Sequence, residues 1–457
     1  MKSRLFLAIL VFWLISVHMA SGAGIFGNWA LVNPDAAFSP RAWQGTAVFD
    51  DRVWIIGGTS FPPFTPEKNA SFSDVWSSAD GKTWSLETGH AGFSPRFGHG
   101  VVVFDRRIWV IGGYTEAGYD NGVWSSSDGK NWTLETAHAG FSPRVFQGAG
   151  VFDGRIWVVG GETLKGNVND VWSSADGKNW TREKDHAEFL PRYGQGVVAY
   201  HGHLWVIGGY SMTETSRGYT IMRWLNDVWS SADGRSWRLE NSSPAFESRE
   251  FVPLAVFNES LWIAGGGGPP SFKSVKIQVP YSFDSVWSSA DGINWTLDTE
   301  HAGFSPRYGH GVAAFRDGLW VIGGSLKNGT PMNDVWRYGP EYEPPEAAFI
   351  SNATRGTVPL GVEFVDASCG EIKEWRWDFG DGGYASGQNP VHVFVNPGSY
   401  TVHLEVSGPG GVNGTSAVIE ADIPPTSPAG SGPDTFVSCS GMLIAALGAV
   451  IFLKRRR

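Results

Sequence analysis

The chain has 457 residues, 60 of them glycine, with 45 acidic against 35 basic side chains and two cysteines. That length allows two or three domains with sizeable cores. The acidic balance leaves no footprint for nucleic acid, and two cysteines build no disulfide framework.

At the start, Lys2 and Arg4 precede an apolar run over 5–17 and then Ser21-Gly22-Ala23. This is the pattern of a secretory signal peptide over 1–23, with Gly24 as the mature start.

From there to residue 340 the chain is a repeat array. Three series of tryptophan recur six times each: Trp54, Trp109, Trp157, Trp205, Trp262 and Trp320, three positions before a Gly-Gly pair; Trp76, Trp124, Trp172, Trp229, Trp287 and Trp336, in runs such as Asp74-Val75-Trp76-Ser77-Ser78; and Trp84, Trp132, Trp180, Trp237, Trp295 with the outlying Trp29. Each repeat opens on an arginine (Arg41, Arg96, Arg144, Arg192, Arg249, Arg307), and successive arginines are 55, 48, 48, 57 and 58 residues apart. Such spacing is near that of propeller blades, and each unit reads as four short strands. Asp153-Gly154 and Asp317-Gly318 are read as turns between first and second strands. Asp80-Gly81, Asp128-Gly129, Asp176-Gly177, Asp233-Gly234 and Asp291-Gly292 supply positive φ between the third and fourth.

The Gly-Gly doublet and the fourth-strand tryptophan resemble the kelch family of β-propellers over residues 27–340. The hairpin Ser78-Ala79-Asp80-Gly81-Lys82-Thr83-Trp84 looks like the Asp-box of sialidase propellers shortened by one residue, read here as structure without sialidase activity. The last repeat stops after its third strand, where Gly339-Pro340 breaks the pattern. Asn28-Trp29-Ala30-Leu31 matches the fourth-strand segment Asn131-Trp132-Thr133-Leu134, so the N-terminal strand is expected to complete a sixth blade and remove the exposed edges. The domain expected over 24–340 is thus a closed six-bladed propeller. Its indoles are expected inside, where each removes about 150–250 Å² from water, a gross gain of roughly 4–6 kcal/mol before entropy; exposed rings would instead suit sugar stacking.

Residues 346–424 carry Trp375-Arg376-Trp377-Asp378-Phe379-Gly380-Asp381-Gly382, Asn389-Pro390-Val391-His392-Val393-Phe394 and Pro397-Gly398-Ser399-Tyr400-Thr401-Val402. These motifs resemble the PKD (polycystic kidney disease) domain, which implies an immunoglobulin-like β-sandwich acting as a spacer or contact module. Alternation of Tyr400, Val402, Leu404 and Val406 independently predicts a half-buried strand. Asp378 and Asp381 are too few for a calcium ion and are expected to stabilise turns. A linker follows over 425–434. Residues 435–453 are uncharged and precede Lys454-Arg455-Arg456-Arg457, which predicts a single transmembrane helix, a basic cytoplasmic tail over 454–457 and extracellular N-terminal domains. The fold class expected is therefore all-β with one C-terminal helix. Cys369 and Cys439 fall in different segments and are not expected to pair.

The second-to-third-strand connections hold the long insertions over 59–73, 210–226 and 267–283, so the recognition face is expected on that side. The same side receives the opening arginines and the residues three positions later. Arg96, His99, Arg144, Gln147, Arg192, Gln195, Arg307 and His310 are therefore candidates for an anionic or sugar ligand; alternatively the arginines tie one blade to the next through backbone carbonyls. His90, His138, His186 and His301 recur in the crossovers without converging, so no metal or other cofactor is expected. A propeller without cysteine argues against a copper radical oxidase of the galactose oxidase type. The function expected is a membrane-anchored surface binding or adhesion protein with a protein or polysaccharide partner, its oligomeric state open. An extracellular carbohydrate-active enzyme and a structural envelope component are the alternatives.

Overall fold

The computed structural model describes residues 28–60, 71–214, 220–269, 281–339, 344–408 and 410–424. The predicted signal peptide, linker, membrane helix and tail lie outside them, as does Cys439. Among the described residues the fold is all-β, and no helix is long and apolar enough to cross a membrane. Two compact units divide after Pro344.

In the first unit the tryptophan repeat becomes an antiparallel meander. The first repeat runs Gly45–Phe49, Arg52–Ile56, Val75–Ser78 and Ser85–Thr88, adjacent in that order. The third, Gly148–Phe152, Arg155–Thr163, Gly166–Ser174 and Thr181–Lys184, does the same. Alternate residues of each second strand enter different cores: Trp54 and Ile56 pack with Ile108 and Val110, whereas Val53 and Ile55 pack with Trp320 and Ile322. Burial on both faces explains why these strands read as unbroken apolar runs.

All three tryptophan series are buried or half-buried. Each second-strand indole donates to the backbone carbonyl five residues back, as Trp54 Nε1 does to Phe49 (2.8 Å), and all but Trp262 cover the turn glycine of the next repeat among the described residues, as Trp54 covers Gly129. A Cβ there would strike the ring, and Gly129 has φ 70°. Fourth-strand indoles meet a crossover phenylalanine edge-on, in pairs such as Phe93–Trp132 and Phe141–Trp180 at 5.1 Å. Trp29 meets Phe304 in the same way at 4.9 Å, and its strand, Asn28–Asn33, pairs antiparallel with Pro331–Gly339.

The turns correct one detail. In the sixth repeat the two central positions are Arg316 and Asp317, with φ of 45° and 53°, and Gly318 already begins the next strand. A two-residue hairpin with both φ positive needs that register. The loop between third and fourth strands is longer than a tight turn and is organised by its aspartate. Asp128 Oδ1 accepts from the N–H groups of Lys130 and Asn131, both at 2.8 Å, and from the Ser126 hydroxyl at 3.0 Å.

The second unit has a three-stranded and a five-stranded sheet. Trp377, Phe364, Phe379, Phe394, Val402, Leu404 and Val406 form its core, in agreement with the alternation along Gly398–Gly408. Asp378 and Asp381 each accept a turn N–H at 2.9 Å, from Gly380 and Gly383, the turn role expected of them.

Candidate ligand-binding face

The six opening arginines are at most 2% exposed. Arg144 illustrates the set: Nε donates to the Ser142 carbonyl at 3.0 Å, Nη1 to the Gly160 carbonyl at 2.8 Å, and the two Nη groups grip Asp170 at 2.7 and 2.9 Å. The carbonyl and carboxylate belong to the arginine's own repeat, so the side chain locks one sheet together rather than joining neighbours. Arg192 with Asp227 and Arg307 with Asp334 repeat the arrangement. In the second repeat Gly122 stands where the aspartate would be, and Asp120 reaches Arg96 at 2.9 Å instead. In the fifth, Ser285 replaces the aspartate, Glu247 from the crossover binds Arg249 at 2.6 Å, and the Trp287 Nε1 that would have met the aspartate has no partner.

The residues three positions on do join neighbours. Gln147 Nε2 donates to Ile111 O and Gln195 Nε2 to Val159 O, both 2.7 Å, and His310 Nε2 lies 2.7 Å from Ala264 O. Burial holds His99 and His310 down to about 3, with Arg96 and Arg307 respectively adding to the effect, so both rings are neutral.

Above these residues sits an aromatic layer that sequence reading missed. Trp43, Phe146 and Phe251 lie at φ 50–55° two positions after Arg41, Arg144 and Arg249, while Gly98, Gly194 and Gly309 occupy the same place in the other three repeats. Large and small therefore alternate. Trp43 touches Phe97, Phe146, Phe251 and Tyr308, and Phe146 touches Tyr193. Rings from all six repeats meet here. The eight candidate residues thus lie buried beneath an aromatic plug, seven of them hydrogen bonded, not around an open mouth.

The same end carries a second group. Just past the arginine, each repeat bridges to the residue after its Gly-Gly pair, among them Val145 to Glu162, Tyr193 to Tyr210 and Glu250 to Gly267. This brings Glu162 and Glu250, from different places in the repeat, into one layer. Tyr119 hydrogen bonds to Glu162 and Tyr193 to Glu250. Burial raises both carboxyls, Glu250 to about 7, with Trp224 and Tyr193 acting in the opposite direction. Tyr193 and Tyr210 feel both carboxylates and are pushed up, first by burial. No ion pair reaches either glutamate among the described residues. Much of the insertion over 210–226 is strand: His203–Glu214 and Thr220–Ser231 form a ribbon on which Tyr210 opposes Trp224 and Met212 opposes Met222.

The repeat geometry is that of a β-propeller. A family model described as the KLHDC2/KLHL20/DRC7 Kelch-repeats domain matches residues 44–266, the Kelch motif matches 306–341, and the PKD domain matches 342–423. The chain therefore carries kelch-repeat domains followed by a PKD domain, in the order expected from its motifs.

Proposed function

We propose that this chain is a cell-surface binding or adhesion protein: a closed six-bladed propeller, carried with a PKD spacer and anchored by a single C-terminal membrane helix, that recognises a protein or carbohydrate ligand through its loop-bearing face. Closure is supported by the pairing of Asn28–Asn33 with Pro331–Gly339, by the contact of Trp320 with Gly81, and by the meeting of rings from six repeats. Binding or adhesion accords with the kelch and PKD modules. The observation that carries the choice of face is the aromatic layer holding Glu162 and Glu250 without an ion-pair partner among the described residues. Carboxyls held among aromatic rings with no cation beside them suit recognition rather than stability.

Glycan and surface-protein arrays probed with residues 24–424 test the reading. Binding should fall in Trp224→Ala and persist in Lys82→Ala, which alters the opposite end of the repeats; the reverse pattern would refute the chosen face. Hydrolysis of glycans measured in parallel would move the protein to the enzyme class. Cell fractionation with and without residues 435–457 tests the anchor, and unchanged membrane retention would refute it.

A further inference from the structure

Building on that choice of face, we propose that its ligand is a cationic side chain of a partner protein, an arginine guanidinium or lysine ammonium, received between the Glu250 carboxylate and the rings of Tyr210 and Trp224. Three observations point to this chemistry. First, Glu250 is 7% exposed yet has no cation beside it among the described residues, and its chain neighbour Arg249 turns away onto Glu247 and the Gly265 carbonyl. A buried carboxylate without a counter-charge is costly, and an incoming cation offsets that cost. Glu162 adds a second negative charge felt by the same tyrosines.

Second, the walls are aromatic. Tyr210 lies 4.8 Å from Trp224 and 5.2 Å from Tyr193, centroid to centroid. Ring faces attract cations, arginine and methylated ammonium groups best of all. On the ribbon, side chains alternate, so Met212 and Met222 continue the side that bears Tyr210 and Trp224. Met222 is 54% exposed, and such a flexible thioether surface suits the aliphatic stem of a lysine or arginine and the protein around it.

Third, a buried hydrogen-bonding atom faces the same place unpartnered. Ser282 is 3% exposed, and its Oγ has no partner. It stands directly opposite Gly267, whose missing Cβ would lie 3.3 Å from Glu250 Cγ and 3.5 Å from Tyr308 Cβ. Directly opposed residues project to one side, so the hydroxyl lies on the same side of the sheet as Glu250, one strand beyond Gly267, and offers an acceptor for a further N–H. A neutral sugar would use the rings but leave the carboxylates uncompensated.

Titration calorimetry on the full-length chain in non-ionic detergent tests this, with N-acetyl-arginine amide, N-acetyl-lysine amide, N-acetyl-glutamate amide and a neutral oligosaccharide as probes. The two cations should bind and the anion should not. Glu250→Gln, whose amide still meets Tyr193, should weaken cation binding about tenfold or more, and Trp224→Ala should weaken it while leaving the carboxylate in place. Because burial holds Glu250 up to about 7, cation binding near neutral pH should release a proton. That release appears as an enthalpy that varies with the buffer and should vanish in Glu250→Gln. The groups facing Glu250 are the phenols of Tyr193, Tyr210 and Tyr308, the Trp224 indole and, more remotely, Glu162; among them only the carboxyls titrate in this range. Equal binding by Glu250→Gln, or absence of proton release, overturns the proposal. Oligosaccharide binding that is lost in Trp224→Ala, with the cations inert, overturns the cation but keeps the face. If array binding persists while no probe responds to Trp224→Ala, the face itself is wrong.

Discussion

Replacing Asp170 by serine removes the carboxylate that holds Arg144, a guanidinium that is 0% exposed. Stranding a buried charge costs about 3–5 kcal/mol. The same change strips the Trp172 indole of its acceptor, now 2.8 Å away on Asp170, which adds about 1 kcal/mol. For a domain of this size the sum lowers the melting temperature by roughly 5–15 °C. The fifth repeat supplies the rescue, since there Ser285 coexists with Glu247, which binds Arg249 from two residues back. Ser142→Glu combined with Asp170→Ser should therefore recover the charge pairing but not the indole bond, leaving a deficit of about 1 kcal/mol. Differential scanning calorimetry and urea unfolding of the three proteins measure this. A single variant that loses less than about 1 kcal/mol, as an exposed pair would, or a double variant no better than the single, would refute the reasoning.

Other expected outcomes concern acid, base and sterics. His99 and His310 have folded pKa values of about 3 because of burial, below those of the unfolded chain. The unfolded state therefore takes up protons first, and stability is lost as pH falls from about 6.5 toward 3. Glutamine occupies the equivalent place as Gln147 and Gln195, so His99→Gln with His310→Gln should flatten this part of the pH profile in thermal melts; an unchanged slope would count against it. Glu250 has the opposite sign: its raised value of about 7 means stability is lost as pH rises from about 4.3 through 7. Glu250→Gln should accordingly melt higher than the parent at pH 8 and much closer to it at pH 5, and a uniform shift would argue against a buried titrating carboxyl. Gly129→Ala forces a Cβ into the Trp54 ring at positive φ and should cost about 1–3 kcal/mol in urea unfolding, whereas alanine at Gly154, with open space around it, should cost less.

The sequence revealed the architecture through a signal repeated six times. Tryptophan, Gly-Gly and arginine recur at matching places because each sheet meets its neighbours in the same way. The layer beneath the proposed ligand face was harder to see. Large and glycine residues alternate between Trp43, Gly98, Phe146, Gly194, Phe251 and Gly309, a period of two repeats that aligning single repeats obscures, although it was present to be read. Glu162 and Glu250 had no such signal: one follows a Gly-Gly pair and the other an arginine, and only the antiparallel bridge beside each brings them to one level. Residues Arg96, Arg144, Arg192 and Arg307 attracted a ligand reading by charge. Their burial depends on aspartates 24 to 35 residues further along the chain, a pairing visible only once the third strand folds back beside the second.

Everything assigned to the ligand face depends on the N-terminal strand sealing the ring. Ala30 stands directly opposite Arg337, and Ala30→Cys with Arg337→Cys, in a chain whose Cys369 and Cys439 are changed to serine, tests that register. Closure predicts that the two thiols oxidise to an intramolecular disulfide joining the peptides that contain them, with a melting temperature raised because the bond closes so long a loop. Two thiols that stay reactive under oxidising conditions, in a protein that melts as the parent does, would contradict it.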